Sequence, residues 1–373
     1  MAKYFKIKKA ALFVVLFFGT IASTEIIEYF QHENLFVIGS VLFFVTALMS
    51  LIRLVGYQKL IILSLILIVF LLFSALIATD SEYGIYKIIL GLLVPLTFWS
   101  YSTKIAWSEK ELINYLILSV LIIDIFGVLY KINFGFFDRG VKFGLFGPIV
   151  FGWINGMAFV ASLLKKDNNF FDKLLIAIFF ILILWSGSKG PLISSLLIVI
   201  ILIRKIIKNK LRNYILLFIV LIALFYLIQS FGSEIRSVET LFKLFENPEN
   251  YIETGGTGSI GSRLNFITLS LDLFVENILI GIGFGEWTVY GPEDFRYPHN
   301  IVLEILSETG IFGLGILLIY LYFLSNKSVF AYVSYFALFS LIFSGDFSYF
   351  RYALFPLLMS YSLTKNKLNG YNL

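Results

Sequence analysis

The chain contains no cysteine, which excludes disulfides and thiolate metal sites and leaves no redox compartment to be read from it. Its 373 residues include only two histidines, so a histidine-rich metal site is nearly impossible. Charge is scarce as well, because charged residues make up 14% of the chain and hydrophobic residues 59%. A soluble domain of this length needs a charged surface to stay dispersed. The composition therefore predicts a protein whose main solvent is lipid.

Apolar segments recur along the chain, and a membrane span needs roughly 20 such residues. They predict an all-α polytopic membrane protein of about 12 transmembrane helices, with 11 as the alternative because several segments are short. The candidate spans are residues 10–30, 35–52, 59–78, 84–103, 111–130, 144–164, 171–186, 190–203, 213–231, 299–322, 328–343 and 350–364. The first span follows a basic stretch but lacks a small-residue cleavage site, so we expect a retained anchor rather than a signal peptide.

One long interval divides these spans. We expect transmembrane helices 1–9 in residues 1–231, a large outer loop at 232–298, and helices 10–12 in residues 299–373. Loops of this length are usually functional or disordered. Residues 263–280 have the pattern of a helix apolar enough to rest on the membrane surface, so the second half of the loop is expected to be ordered.

The distribution of Lys and Arg predicts the orientation. If the N-terminus is cytoplasmic and the spans alternate, 19 of the 29 basic residues fall on the inner side, as the positive-inside rule requires. Both termini are then cytoplasmic, and the net charge of +5 reflects topology rather than nucleic-acid binding. The other ten basic residues need a different role, and binding an anion is the natural candidate. They are Lys87, Lys131, Arg139, Lys142, Lys189, Arg236, Lys243, Arg263, Arg296 and Arg351.

Two of these cations have settings that suit a phosphate. Lys189 lies at an outer junction between two helices and precedes Pro191, which favours the first turn of a helix, where free N–H groups bind anions. Arg263 begins the loop helix, and its guanidinium can grip phosphate oxygens in a bidentate way. The alternatives are a lysine that merely snorkels to the interface and a solvated loop arginine.

The segment from Tyr297 to Gly310 is the most informative one. Pro298 favours a helix start, and His299 or Asn300 stands where helix caps occur. A histidine near a helix N-terminus feels the positive end of the dipole, which favours neutral imidazole and hence a free base. The alternative is a capping or interfacial histidine. The other histidine, His32, has no such setting and is expected on the surface.

Two further patterns are weaker indications of a functional site. Residues Gly256 to Gly261 match GxGxxG, but no strand precedes them, so a flexible lead into the loop helix is favoured over a nucleotide site. Glu293 and Asp294 are adjacent acids, but their spacing is wrong for a metal site and no further ligands cluster near them. A mechanism without metal or cofactor is therefore expected.

Taken together, several short motifs resemble the O-antigen polymerase and O-antigen ligase superfamily of bacterial lipid-linked polysaccharide glycosyltransferases. The resemblance covers about residues 186–315, and the topology extends it along the chain. It departs from the family where Lys189 replaces a frequent arginine and Asn277 a common proline. The motifs are Ser188-Lys189-Gly190, Gly261-Ser262-Arg263, Asn277-Ile-Leu-Ile-Gly281-Ile-Gly283, His299-Asn300 with Glu304, and Glu308-x-Gly310-x-x-Gly313.

The resemblance implies a C-type glycosyltransferase-like architecture and transfer of a glycan from undecaprenyl diphosphate to a hydroxyl, without metal and with inversion. Such a reaction needs a base for the acceptor hydroxyl, for which His299 is the candidate. It also needs cations on the departing diphosphate, for which Arg263 and Lys189 are the candidates. The implied substrate-binding residues are Arg296, Arg139, Arg351, Asn300 and Glu304.

The acceptor stays open at this level. A polymerase extends onto another carrier-linked repeat unit, whereas a ligase transfers the glycan to a lipid A core; the aromatic-rich, idiosyncratic chain favours a polymerase. A flippase for the same lipid-linked oligosaccharide is the alternative from another class, but transporters place their substrate charges at mid-membrane and have short loops. The implied partners are an undecaprenyl diphosphate-linked oligosaccharide, membrane lipid and a chain-length regulator. The implied location is the bacterial inner membrane, with the site on the periplasmic face.

Overall fold

The computed structural model describes residues 2–23, 56–79, 81–103, 105–138, 140–165, 169–206, 259–293, 295–326 and 328–368. Within these ranges the chain forms helices, and its only extended pairing is an isolated bridge between Phe143 and Phe146. His32, Arg139, Asp294, the predicted spans 35–52 and 213–231, and residues 232–258 lie outside the described residues.

The helices of the described residues are numbered in chain order. A π-helical segment, Ile89–Leu93, joins α3 to α4, and a 3-10 helix, Phe347–Phe350, precedes α13. The α-helices are α1 Ala2–Ile21, α2 Gln58–Ile77, α3 Ser81–Ile88, α4 Val94–Ser102, α5 Glu109–Phe134, α6 Pro148–Leu163, α7 Phe170–Trp185, α8 Lys189–Ile206, α9 Ser259–Glu276, α10 Trp287–Tyr290, α11 Ile301–Leu324, α12 Val329–Ser344 and α13 Arg351–Leu368.

Among the residues that the structure describes, four segments are long and apolar enough to cross a membrane, namely α2, the continuous stretch Ser81–Ser102, α5 and α11. They coincide with the predicted spans 59–78, 84–103, 111–130 and 299–322, which confirms the all-α membrane class for these parts of the chain. Helix α9 confirms the helix expected in the second half of the loop. Shorter apolar helices stand at Pro148–Leu163, Lys189–Leu202 and Val329–Ser344.

The chain divides into two compact units. The first comprises residues 1–119 and 262–373, and aromatic rings form much of its core. In this unit the Phe13 ring lies 6.1 Å from the Trp107 ring and 6.4 Å from the Phe355 ring. Such edge-to-face and tilted pairs are the arrangements that aromatic quadrupoles favour.

The second unit comprises residues 120–261. Its helices α6 and α8 approach closely because Gly152 has no side chain; a Cβ there would lie 2.8 Å from Pro191. Within the same unit Asn155 donates a 2.9 Å hydrogen bond to Asp124, so this buried carboxylate has a polar partner.

Helix α11 is broken at Gly310, whose backbone is non-helical with φ 63°. A break in an apolar helix leaves backbone groups without their helical partners. Here the segment before α10 replaces them. Ile282 and Gly283 donate backbone hydrogen bonds of 3.0 Å to the carbonyls of Ser307 and Glu308. On the other side of the break, Ile311 and Phe312 donate to the carbonyls of Ile278 and Leu279 at 2.9 and 3.2 Å.

This close backbone pairing explains the glycines of the sequence motifs. Gly281 and Gly310 both have positive φ, and a Cβ on either would overlap the backbone of the opposite segment. Only glycine adopts these angles and permits this approach without strain. The paired motifs therefore fix the first half of α11, which carries the residues described next.

Candidate functional site

The start of α11 places His299 in a special backbone position. Asn300 is the N-cap of this helix, and its side chain accepts hydrogen bonds from the N–H groups of Val302 and Leu303 at 3.0 and 3.2 Å. His299 precedes the cap with φ 56°, and it is the one non-glycine residue with positive φ in the described part of the chain. Such a conformation persists only where the surroundings hold it, and it is common at functional sites.

Aromatic rings surround the half-buried imidazole of His299. The Tyr297 ring lies 4.5 Å away, the Phe295 ring 5.7 Å and the Phe266 ring 6.1 Å. The imidazole also hydrogen-bonds the backbone carbonyl of Ser344. Its Nδ1 atom is buried and has no hydrogen-bond partner among the described residues.

Burial lowers the pKa of His299, the positive charge of Arg263 acts in the same direction, and the resulting pKa is about 4. The Ser344 bond and the charge of Asp346 oppose this shift but are weaker. This direction agrees with the neutral imidazole expected from sequence, and burial is its largest cause. At neutral pH the ring is therefore uncharged, as a general base requires.

Arg263 projects from α9 toward the C-terminal end of α12. Its guanidinium donates a 2.9 Å hydrogen bond to the carbonyl of Phe343 and a longer one, 3.5 Å, to the Ser344 hydroxyl. The side chain is half-buried and close enough to His299 to change its pKa. Two of the residues predicted from sequence therefore meet within the first unit. Arg296 is exposed, and its guanidinium lies 5.9 Å from the Tyr83 ring.

Asp346 is an acid of this site that sequence reasoning missed. It caps the 3-10 helix by accepting from the Ser348 hydroxyl and the Tyr349 N–H group at 2.6 and 3.3 Å. Its other oxygen accepts a 2.9 Å hydrogen bond from the Tyr83 hydroxyl. The signal available was an acidic residue at a junction between two apolar helices, a position where charge is rare without a function.

Tyr297 lies in the same environment. Burial raises the pKa of its hydroxyl, and the neighbouring Tyr349, Asp346 and Glu304 raise it further. The hydroxyl therefore keeps its proton at neutral pH and can donate a hydrogen bond. In the sequence this residue stands out only as the start of the motif.

The same unit also contains a fully buried cluster of ionic side chains. The Lys87 ammonium of α3 lies 2.7 Å from a carboxylate oxygen of Glu304 and 2.6 Å from one of Glu308. All three side chains are inaccessible to solvent. Lys87 was one of the outer cations to which sequence analysis gave anion binding, and the anions it contacts are these two glutamates. Two acids four residues apart on one face of an apolar helix were the signal that a buried cation must exist.

The remaining predicted residues have other surroundings. Arg351 is fully buried; its guanidinium donates a 2.5 Å hydrogen bond to the carbonyl of Ser348 and lies 4.9 Å from the Tyr352 ring. Lys189 is the first residue of α8, as its motif predicted, and belongs to the second unit. No group of three or more potential metal ligands occurs among the residues that the structure describes.

The helices that can cross a membrane define a multi-pass membrane protein. Its neutral histidine has one unpartnered nitrogen and an arginine beside it, an arrangement suited to proton transfer next to an anion. Residues 174–318 match the protein family described as O-antigen ligase. This match confirms the resemblance to the O-antigen ligase and polymerase superfamily, and it indicates a function of that type. The matched segment contains Lys189, Arg263 and His299, whereas Lys87 and Asp346 lie outside it. A comparison with curated proteins finds no match to the chain.

Proposed function

We propose that this protein is a glycosyltransferase that moves a glycan from undecaprenyl diphosphate to a hydroxyl group, at the outer face of the bacterial inner membrane. The observation that carries the proposal is the unpartnered Nδ1 of His299 beside Arg263, within the segment that matches the O-antigen ligase family. By resemblance to that superfamily, the reaction needs no metal and inverts the anomeric carbon.

The reaction assigns a distinct role to each side chain. As the acceptor oxygen forms its bond to the anomeric carbon, the bond from that carbon to the diphosphate oxygen breaks. The acceptor proton passes to Nδ1 of His299, the ring nitrogen that has no hydrogen-bond partner among the described residues. The negative charge that remains on the diphosphate is stabilised by Arg263. Lys189 stays a prediction from sequence as a diphosphate-binding cation.

Asp346 is proposed to stabilise the protonated form of His299 during transfer. Proton transfer creates an imidazolium near the permanently charged Arg263, which disfavours it. Asp346 acts in the opposite direction on the same ring. A histidine flanked by one cation and one anion can therefore stay neutral at rest and still accept a proton during transfer.

For the acceptor, we propose a carrier-linked repeat unit, so that the enzyme is a polysaccharide polymerase. The second candidate is a ligase that transfers to a lipid A core, the reaction that gives the matching family its description. The two reactions share the donor, the base and the cation.

The test is complementation of a deletion strain, read on a lipopolysaccharide gel. His299→Ala and Arg263→Ala are expected to abolish polysaccharide transfer, whereas His32→Ala, the change of the only other histidine, is expected to restore it. Product with a single repeat unit in the deletion strain identifies a polymerase; carrier-linked chains that never reach lipid A identify a ligase. Normal ladders from correctly inserted His299→Ala protein would refute the mechanism and favour a flippase.

A further inference from the structure

Glu304 connects three parts of the first unit. It lies on the first half of α11, five residues after His299, and its side chain is completely buried. One carboxylate oxygen accepts from the Lys87 ammonium at 2.7 Å. The other accepts from the backbone N–H group of Phe347 at 2.8 Å. With both oxygens bonded inside the protein, this carboxylate faces protein groups rather than a substrate.

The Phe347 bond matters because of the residue that precedes it. Asp346 is the direct chain neighbour of Phe347, and it is the N-cap of the 3-10 helix that Glu304 contacts. The hydrogen bond from Phe347 to Glu304 therefore also fixes its neighbour Asp346 relative to α11. His299 stands at the start of the same helix. One side chain thus links the base to the acid proposed to stabilise its protonated form.

Helix α3 completes the arrangement with two side chains one turn apart. Tyr83 donates its hydroxyl hydrogen to Asp346 at 2.9 Å, and Lys87 holds Glu304. The ammonium also lies 5.1 Å from the centre of the Tyr83 ring. Because residues four apart lie on one face of a helix, α3 presents both donors to the same region.

Glu308 supplies the natural comparison. It shares the Lys87 ammonium at 2.6 Å and is equally buried. Its other contacts are the N–H groups of Gly285 and Trp287, at 3.0 and 3.3 Å. These belong to the segment around α10 and not to the 3-10 helix. The two glutamates thus have the same ion partner but different backbone partners.

We infer that Glu304 is a positioning residue for transfer, which fixes the 3-10 helix carrying Asp346 against the end of α11 carrying His299. This inference rests on the proposed function of His299. Lys87 supplies the cation that makes the buried carboxylate tolerable, since an unpaired charge in an apolar interior is strongly disfavoured. Glu308 instead holds the segment around α10 against the same helix.

The test compares glutamine with leucine after the ammonium has been removed. In a Lys87→Met background, Glu304→Gln keeps an oxygen for the Phe347 N–H group, whereas Glu304→Leu removes it with little change in volume. The matched pair is Glu308→Gln and Glu308→Leu in the same background. Each double variant is purified in detergent, checked for thermal unfolding, and assayed for transfer with lipid-linked repeat units extracted from the deletion strain.

At position 304, we expect kcat of the leucine variant to fall about 10- to 100-fold below that of the glutamine variant, since small misplacements of reacting groups have effects of this size. KM is expected to be equal for the two, because Arg263 is untouched. At position 308, kcat of the two variants is expected to agree within about 3-fold, even if both unfold at lower temperature. Equal kcat at position 304, or the same loss at both positions, would overturn the inference.

His299→Ala in the same assay distinguishes a failure of the proposed function from a failure of the positioning role. If it retains transfer, the proposed function fails whatever happens at Glu304. If it is inactive while both 304 variants are alike, only the positioning role fails.

A second variant covers poor folding of the doubles. A Cβ on Gly91 would overlap the carbonyl oxygen of Phe347, so Gly91→Ala displaces the 3-10 helix while all three ionic side chains remain. It is expected to lower kcat without raising KM. Gly315→Ala, where a Cβ meets nothing within 4 Å, is its control. A Gly91→Ala protein that folds and has the kcat of Gly315→Ala would also overturn the inference.

Discussion

The low pKa of His299 leads to a pH profile that differs from that of an ordinary histidine enzyme. An unperturbed imidazole loses its function as a base below about pH 6.5. In this protein, burial first and Arg263 second lower the pKa of His299 to about 4. We therefore expect kcat/KM to stay level down to about pH 5 and to fall with a midpoint near pH 4, because this ratio reports the free enzyme.

The same shift has a consequence for stability whose sign can be worked out. Between pH 6.5 and 4 the unfolded chain binds a proton at this imidazole and the folded protein does not, so acid favours unfolding. Stability should fall as the pH is lowered through this window and level off below it. Lowering the pKa from 6.5 to about 4 corresponds to at most about 3.4 kcal/mol, and residual solvent contact of the half-buried ring reduces the effect. His299→Gln should remove this part of the pH dependence.

The assay uses the fact that the chain has only two histidines. In a His32→Asn protein a single imidazole remains, and its titration can be followed by NMR with labelled histidine. Arg263→Gln removes one of the two causes of the low pKa, so the midpoint should move upward, toward 6.5. A wild-type midpoint near 6.5, or an Arg263→Gln midpoint identical to that of the wild type, would refute this account of the site.

Three further outcomes are expected. Gly310→Ala should destabilise the protein by more than about 1–3 kcal/mol, because it adds strain at positive φ to a backbone overlap; thermal unfolding against Gly315→Ala, where the added methyl meets nothing, measures this, and equal melting temperatures would contradict it. Asn300→Ala should cost about 1 kcal/mol through loss of the helix cap, while Asn300→Asp keeps the acceptor and serves as the control. If Arg296, whose side chain is exposed, attracts the substrate as the resemblance implies, Arg296→Gln should raise KM with little change in kcat; an unchanged KM at low salt would argue against it.

Much of the helical architecture could be predicted from sequence because a membrane span leaves a strong signal of length and polarity. The predicted span 59–78 corresponds to α2 at Gln58–Ile77, and the predicted span 111–130 lies inside α5 at Glu109–Phe134. The break in α11 was not predicted. The glycine motif around Gly310 was visible, but its meaning depends on a distant segment whose backbone pairs with it, and periodicity carries no information about such pairing.

In the candidate site, too, local features were predictable and long-range partners were not. His299 and Arg263 were predicted because their chemistry is unusual in their local settings, and the structure brings them together. Asp346 and Lys87 were not assigned to their partners, because each acquires its role only through residues more than 200 positions away, namely Tyr83 for Asp346 and the two glutamates for Lys87. Sequence reasoning can say that a buried acid in an apolar helix needs a cation, but it cannot choose that cation among ten.

That choice among cations is the main physical lesson of the structure. A basic residue on the side disfavoured by the positive-inside rule persists when it meets an acceptor inside the protein or an anion from outside. Lys87, Lys131 and Arg351 are buried and contact internal oxygens: two carboxylates, the Asp138 carbonyl and the Ser348 carbonyl. Arg263 and Arg296 retain solvent access in the unit that contains His299. Burial thus sorts these cations into those that hold the fold and those that retain contact with solvent, a distinction that charge counting alone does not make.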